Sequence, residues 1–263
     1  MNRTIVIGDL QGMYNEAVAL LGKCEVTPDD RVIFAGDLLD RGPDNDKCVD
    51  LAMRREIIQG SPACIMGNHE SKHLEYYAKD ERGVDSNVGI ESHIKTRAQL
   101  RPHHYEWIKK LPLYIRLPEH NAVVVHAGVY PGRTIEQQKP DHLLHIQMVK
   151  PFNADGSPSW DERSMWVSKA PKDDLLCRFW THFWDGPERI IFGHSVFDKP
   201  LITDKVCGID GGACFGRYLH ALILPEWKIV SVKADTDFGK GRRGTQNANI
   251  KTYLVHGDVS TYS

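Results

Sequence analysis

The sequence has no long apolar run, no closely spaced cysteine pair and no surplus of one charge. Its apolar clusters, such as Ile5-Val6-Ile7, are only a few residues long. A membrane span needs ~20 such residues, and a signal-peptide core about 7 to 15. Neither a membrane segment nor a secretory leader is expected, so the protein is expected in the cytoplasm. Six cysteines (Cys24, Cys48, Cys64, Cys177, Cys207 and Cys214) are scattered without a CxxC pair. That excludes the zinc-ribbon and thioredoxin-like patterns and points to reduced, buried thiols. Lys plus Arg number 33 and Asp plus Glu 35, a formal charge of −2. Nothing in that balance draws long nucleic acid or an anionic membrane to the chain, so a polyanionic substrate needs a local site.

What is present suits an ordinary globular protein. The chain has 263 residues, 41% hydrophobic and 26% charged, enough for one catalytic domain with a substantial core. Short β-branched runs alternate with stretches able to form helices, the α/β pattern of parallel strands joined by crossover helices. Strands are predicted at 4–7, 31–35, 63–66, 122–125 and 190–192, and helices at 14–22 and 48–58. Runs at 205–209, 218–224 and 228–233 read as antiparallel strands of a final sheet. Residues 71–117 are polar, aromatic and helical in character, with Pro112 placed to stop the last helix. They read as a helical insert in a catalytic domain spanning 1–235. Its basic and histidine-rich residues are interleaved with acids, the mark of a solvated surface more often than of a phosphate-binding wall. Residues 131–174 show little periodicity, and a loop of that length is uncommon unless functional or mobile. A polar extension, 236–263, contains Gly239-Lys240-Gly241-Arg242-Arg243-Gly244. A solvated tail is the simpler reading of it, and a basic phosphate-binding loop the alternative.

One pattern recurs. Five apolar runs are each followed at once by a residue able to hold a metal: Gly8-Asp9, Gly36-Asp37, Gly67-Asn68, His126 before Ala127-Gly128, and Gly193-His194. Each alone is an ordinary turn or helix cap. Jointly they matter, because ligands gather outside the carboxyl ends of strands in α/β proteins, and glycine lets backbone approach a ligand closely. Asp9, Asp37, Asn68, His126 and His194 mix hard oxygen with imidazole donors, which suits manganese, iron or zinc better than calcium. Two divalent ions would need a shared carboxylate and would activate water for attack. Asp37 is the natural bridge.

Taken together, Gly8-Asp9-Leu10-Gln11-Gly12, Gly36-Asp37-Leu38-Leu39-Asp40-Arg41-Gly42, Gly67-Asn68-His69-Glu70, His126-Ala127-Gly128 and Gly193-His194-Ser195 resemble the phosphoprotein-phosphatase branch of the calcineurin-like metallophosphoesterases. The loop Gly208-Ile209-Asp210-Gly211-Gly212-Ala213-Cys214 is similar to the one before the family's last strands, where a threonine often stands at the place of Gly211. The resemblance implies a β-sandwich flanked by helices, with a binuclear centre at one edge. One ion would take Asp9, Gln11 and Asp37; the other would take Asp37, Asn68, His126 and His194. His69, paired with Asp40, would protonate the leaving oxygen, while Arg41, Asn68 and Arg163 would contact the substrate phosphate. Manganese is the expected ion, with iron, zinc, nickel and cobalt as alternatives.

Gln11 departs from the family pattern, since histidine more often stands there; an amide ligates more weakly and cannot serve as acid or base. Glutamine at this place is familiar from dinucleoside tetraphosphatase-like members, so the site is not read as dead. The expected activity is hydrolysis of a nucleotide phosphoanhydride or phosphomonoester, with a symmetrical diadenosine tetraphosphatase as the model. A serine/threonine protein phosphatase acting on phosphoproteins, a polynucleotide-end phosphatase or a phosphodiesterase are alternatives, and a non-catalytic metal-binding scaffold is the reading from another class.

Overall fold

The computed structural model describes residues 3–80, 91–150 and 178–239. In chain order the elements are β1 (Thr4–Ile7), α1 (Tyr14–Lys23), β2 (Arg31–Phe34), α2 (Asn45–Gln59), α3 (Asn68–Asp80), α4 (Glu91–Gln99), α5 (Pro102–Ile108), β3 (Tyr114–Leu117) and β4 (Ala122–Val125). After them come α6 (Pro140–His145), β5 (Met148–Val149), β6 (Arg178–Phe179), β7 (Arg189–Phe192), β8 (Leu201–Ile202), β9 (Val206–Gly208), β10 (Tyr218–Leu224) and β11 (Lys228–Lys233).

The central strands are apolar on both faces, and the packing explains why. One sheet has the order β11-β10-β1-β2 and another β3-β4-β7-β9-β8. Alternate residues of both sheets, including Val6, Ile33, Val124, Ile191, Cys207 and Leu222, share one buried cluster. The intervening residues point the other way: Ile5, Ile7 and Phe34 pack with helical residues such as Ala17, Leu20 and Val49, and Val123, Val125 and Phe192 pack with Leu143, Phe179 and Trp180. A sandwich covered on both outer faces needs strands without polar alternation. Each fully buried aliphatic contributes roughly 1.5 to 3 kcal/mol.

Strand register places the site. β1 and β2 are parallel with Ile7 opposite Phe34, β4 and β7 are parallel with Val125 opposite Phe192, and β7 pairs β9 in parallel with Phe192 opposite Gly208. Five carboxyl ends therefore lie level along one edge of the two sheets, and the residues that follow them meet there.

Several expectations are corrected. Residues 63–66 form no named strand: Phe34 N–H donates to the Ala63 carbonyl and Ile65 N–H to that of Phe34, but Met66 N–H then turns to Pro112, 2.8 Å away. The last helix of the segment 71–117 ends at Ile108, ahead of Pro112, but the segment's final residues belong to the sheet, where Tyr114–Leu117 pairs antiparallel with β4. The run at 205–209 belongs to the second sheet, parallel to β7, and only β10 and β11 form the expected antiparallel pair. Part of the aperiodic stretch 131–174 is ordered into α6 and β5; residues 151–174, and nearly all of the polar extension, lie outside the described residues. The insert's lysines largely face acids at its surface, as in Lys72–Glu75 (3.2 Å), Lys95–Glu91 (2.7 Å) and Lys109–Glu106 (2.7 Å). Among the described residues no helix is long and apolar enough to cross a membrane.

Candidate metal centre

The strand ends turn sharply into the site. Among the described residues eight non-glycine positions have positive φ, and five of them are Gln11 (45°), Asp37 (48°), Asp40 (76°), Arg41 (65°) and His194 (60°). Such backbone costs about 1 to 3 kcal/mol per residue and gathers where function requires it. Glycine is needed beside these residues: a Cβ on Gly193 would run into the Asp9 carboxylate, and one on Gly67 into the backbone and carboxylate of Asp37.

Donor atoms converge on Asn68 at the start of α3. Its Oδ1 is 2.8 Å from His126 Nε2 and 2.9 Å from His194 Nδ1, and His126 Nε2 is 3.3 Å from Asp37 Oδ1. The other ring nitrogen of His126 donates to the Ala35 carbonyl at 2.8 Å. That bond occupies Nδ1, so Nε2 is the nitrogen that faces Asn68 and Asp37. Asp9 turns both oxygens to the His194 N–H at 3.0 and 3.1 Å. The donor atoms of Asp37, His126 and His194 all lie within 4.8 Å of one another.

The electrostatics of this pocket call for positive charge. Burial drives the Asp9 carboxyl well above the usual range, and Asp210 and Asp37 nearby push it further. Burial disfavours charge on His126, yet Asp37 beside it outweighs that and lifts the imidazole to about 10. His194, buried and beside His126, is pushed down to about 3, so one ring nitrogen keeps its lone pair. Oxygen and imidazole donors crowded among buried carboxylates fit divalent cations.

Gln11 Oε1 accepts from Arg41 Nη1 and, at 2.6 Å, from the Cys214 thiol. Arg41 lies with its Cζ 5.0 Å over the ring of Phe215. The amide and the ring hold the guanidinium from two sides. Arg163, expected on the substrate phosphate, lies outside the described residues.

His69 follows Asn68 in α3, and its own N–H donates to Asp37 Oδ1 at 3.0 Å. Its Nδ1 is 2.5 Å from Asp40 Oδ2, which directs Nε2 toward the centre, 3.7 Å from Asp37 Oδ2. Burial opposes charge on this ring, but Asp37 and Asp40 outweigh it and its pKa is raised. Asp40 is itself buried, which favours its neutral form, yet hydrogen bonds from His69 and His73 keep its carboxyl below the usual range. A charged carboxylate bound to an imidazole in this way is the arrangement of a general acid.

Two residues quoted in the motifs gain a place that the motifs alone did not supply. Glu70, fully buried, accepts from the N–H groups of Asp37 (2.8 Å), Leu38 (2.9 Å), Leu39 (3.2 Å) and Gly67 (3.0 Å). It thus clamps the turn that carries Asp37 to the turn that carries Asn68. Burial and then Asp37 push its carboxyl up to about 7, against those four donors. Asp210, one residue beyond Ile209 near the end of β9, is a third acid at a strand end, after Asp9 and Asp37; burial pushes it up to about 6. The signal was the same strand-end rule, obscured because Ile209 separates Gly208 from the acid. Glu70→Gln is expected to retain the fold but lose about 2 to 4 kcal/mol, since an amide sets an N–H against backbone N–H groups. A denaturant melt checks this, together with a weaker manganese affinity.

The chain matches the calcineurin-like phosphoesterase family model over residues 2–201. It is 30% identical over 250 residues to the bis(5'-nucleosyl)-tetraphosphatase PrpE [asymmetrical] of Geobacillus thermodenitrificans (strain NG80-2), covering 86% of this chain and 92% of the relative. A protein of the same designation from Bacillus cereus (strain Q1) is 28% identical over 253 residues, with 89% and 95% covered. Among solved structures, one ascribed provisionally to a diadenosine tetraphosphatase superposes with a TM-score of 0.71 at 24% identity, covering 89% of this chain and 94% of that one. A serine/threonine phosphatase from Saccharomyces cerevisiae superposes at 0.55 with 16% identity, covering 89% and 80%. These structural likenesses speak for the fold, while the family match covers most of the chain. The protein belongs to the calcineurin-like phosphoesterases and is a hydrolase of phosphoesters or phosphoanhydrides.

Proposed function

We propose that the protein is a binuclear metal-dependent hydrolase that cuts a phosphoanhydride of a dinucleoside polyphosphate into unequal parts. The observation that carries this is the meeting of Asp37, Asn68, His126 and His194 around Asn68 Oδ1, at 2.8 to 2.9 Å from two imidazole nitrogens. Asp37 is assigned as the shared ligand, with Asp9 on one side and Asn68, His126 and His194 on the other; Gln11, whose Oε1 accepts from Arg41 and Cys214, would have to release one of these donors to join Asp9. Manganese is the proposed ion. Two ions held there would acidify a water and neutralise charge on the phosphoryl oxygens.

The chain's own groups do the rest. Arg41, held by Gln11 and Phe215, presents its fork to two phosphate oxygens, with Asn68 beside it and Arg163 as a further candidate. His69, fixed by Asp40, gives its Nε2 proton to the departing oxygen. The relatives carry the designation asymmetrical, so the cut is proposed away from the middle of the four-phosphate bridge, in place of the symmetrical split that the sequence suggested. The described cysteines are free and buried, which supports a reducing compartment and hence the cytoplasm.

The test is chromatography of products after manganese-loaded protein meets diadenosine tetraphosphate. ATP plus AMP is the expected outcome, and two ADP would show a symmetrical cut. Hydrolysis of an aryl phosphate without action on the dinucleotide would favour phosphoprotein or polynucleotide-end substrates. A protein that binds two ions yet cleaves neither would be a scaffold.

A further inference from the structure

We infer that His73 and Thr96 of the helical insert are positioning residues for the acid His69, acting through Asp40; the inference rests on the proposed role of His69. Asp40 is fully buried, and its two oxygens offer about four acceptor positions. On Oδ1 lie His73 Nε2 at 2.8 Å and Thr96 Oγ1 at 2.7 Å. On Oδ2 lie His69 Nδ1 at 2.5 Å and, more loosely, His93 Nε2 at 3.5 Å. Donors on Oδ1 stop the carboxylate from rotating about its own axis, so Oδ2 stays in line with His69.

The choice of proton supports this direction. Thr96 has one hydroxyl proton and two acceptors in reach, Asp40 Oδ1 at 2.7 Å and the Ser92 carbonyl at 2.9 Å. The ionised and nearer acceptor wins. His73 is fully buried and its Nδ1 has no partner; Nε2, which faces the acceptor-only Asp40 carboxylate, is therefore the nitrogen that donates. The backbone is held as well. Asp40 N–H donates to Asn45 Oδ1 at 2.6 Å, and Asn45 donates in turn to Gln99 Oε1 at 2.9 and 3.0 Å. Gln99 also donates to the Pro43 carbonyl at 2.8 Å. Since His93, Thr96 and Gln99 all belong to α4, one helix of the insert grips both the side chain and the loop of Asp40. The insert thereby becomes part of the acid's support.

A positioning role differs measurably from a packing role. A poor leaving group needs the acid and an activated one does not, so the comparison is phenyl phosphate against dinitrophenyl phosphate with manganese-loaded protein. Thr96→Val and His73→Phe are expected to lower kcat on phenyl phosphate by about tenfold or more, leave KM near wild type, and change kcat on dinitrophenyl phosphate less than about twofold. Thr96→Ser should restore the loss. Equal losses on both esters, or no loss on either, would overturn the inference. His69→Ala separates the two levels: if it too leaves phenyl phosphate hydrolysis intact, the proposed acid itself is wrong, whereas a loss there without one in Thr96→Val sinks only the positioning role. Proton NMR provides a readout independent of turnover. The Nδ1 proton of His69, identified by its disappearance in His69→Ala, should resonate far downfield and shift in Thr96→Val; an unmoved signal would count against the role.

Discussion

Asp37→Asn is expected to reduce turnover on the order of a thousandfold or more, the loss of several kcal/mol of transition-state stabilisation. Asp37 touches nearly every part of the centre: Oδ1 is 3.3 Å from His126 Nε2 and accepts the His69 N–H at 3.0 Å, while its own N–H donates to Glu70. An amide retains those shapes but removes the charge that two ions would share. Stability should fall as well: burial opposes charge on Asp37, yet His126 and His69 outweigh it and hold its carboxyl below the usual range, so at neutral pH and in chelator the variant is expected to melt lower than wild type while remaining folded. Thermal melts with and without manganese check this. A variant that is both inactive and unfolded would instead assign Asp37 to the fold.

Arg41→Lys is expected to lower kcat about a hundredfold although charge is retained. Lysine has neither the planar fork that meets two phosphate oxygens nor the flat face that rests 5.0 Å over Phe215. It would also stand in the left-handed conformation that Arg41 adopts at φ 65°, with a flexible stem in place of the hold from Gln11. Steady-state kinetics on the tetraphosphate should show the fall mainly in kcat, with a smaller rise in KM, because the fork matters most as charge develops. A kcat within a few-fold of wild type would remove Arg41 from the phosphate.

Much of the centre was legible because strand ends are local. Asp9, Asp37, Asn68, His126 and His194 each follow an apolar run directly, and parallel register alone brings such ends level. The family likeness then suggested roles for Asp40, Arg41 and His69, and the structure sets His69 against Asp40 and Arg41 against Gln11. The support around them was not legible. Thr96 reaches Asp40 across 56 positions of sequence, and periodicity in a polar helix does not say which loop it will face. Glu70 read as a motif letter because its four partners are backbone N–H groups on two separate turns. Tyr114–Leu117 was absorbed into the insert since a four-residue strand after a proline has little signal of its own. Residues 63–66 carry a strand-like sequence, but pairing with β2 stops after one bridge, Phe34 to Cys64.

The central claim is that one chain holds two divalent ions across Asp37. Manganese binding to chelator-treated protein, followed by equilibrium dialysis with elemental analysis, tests it most directly. The account predicts two ions per chain in wild type and a loss of at least one in Asp37→Asn. One ion per wild-type chain, or two retained unchanged in Asp37→Asn, would contradict it.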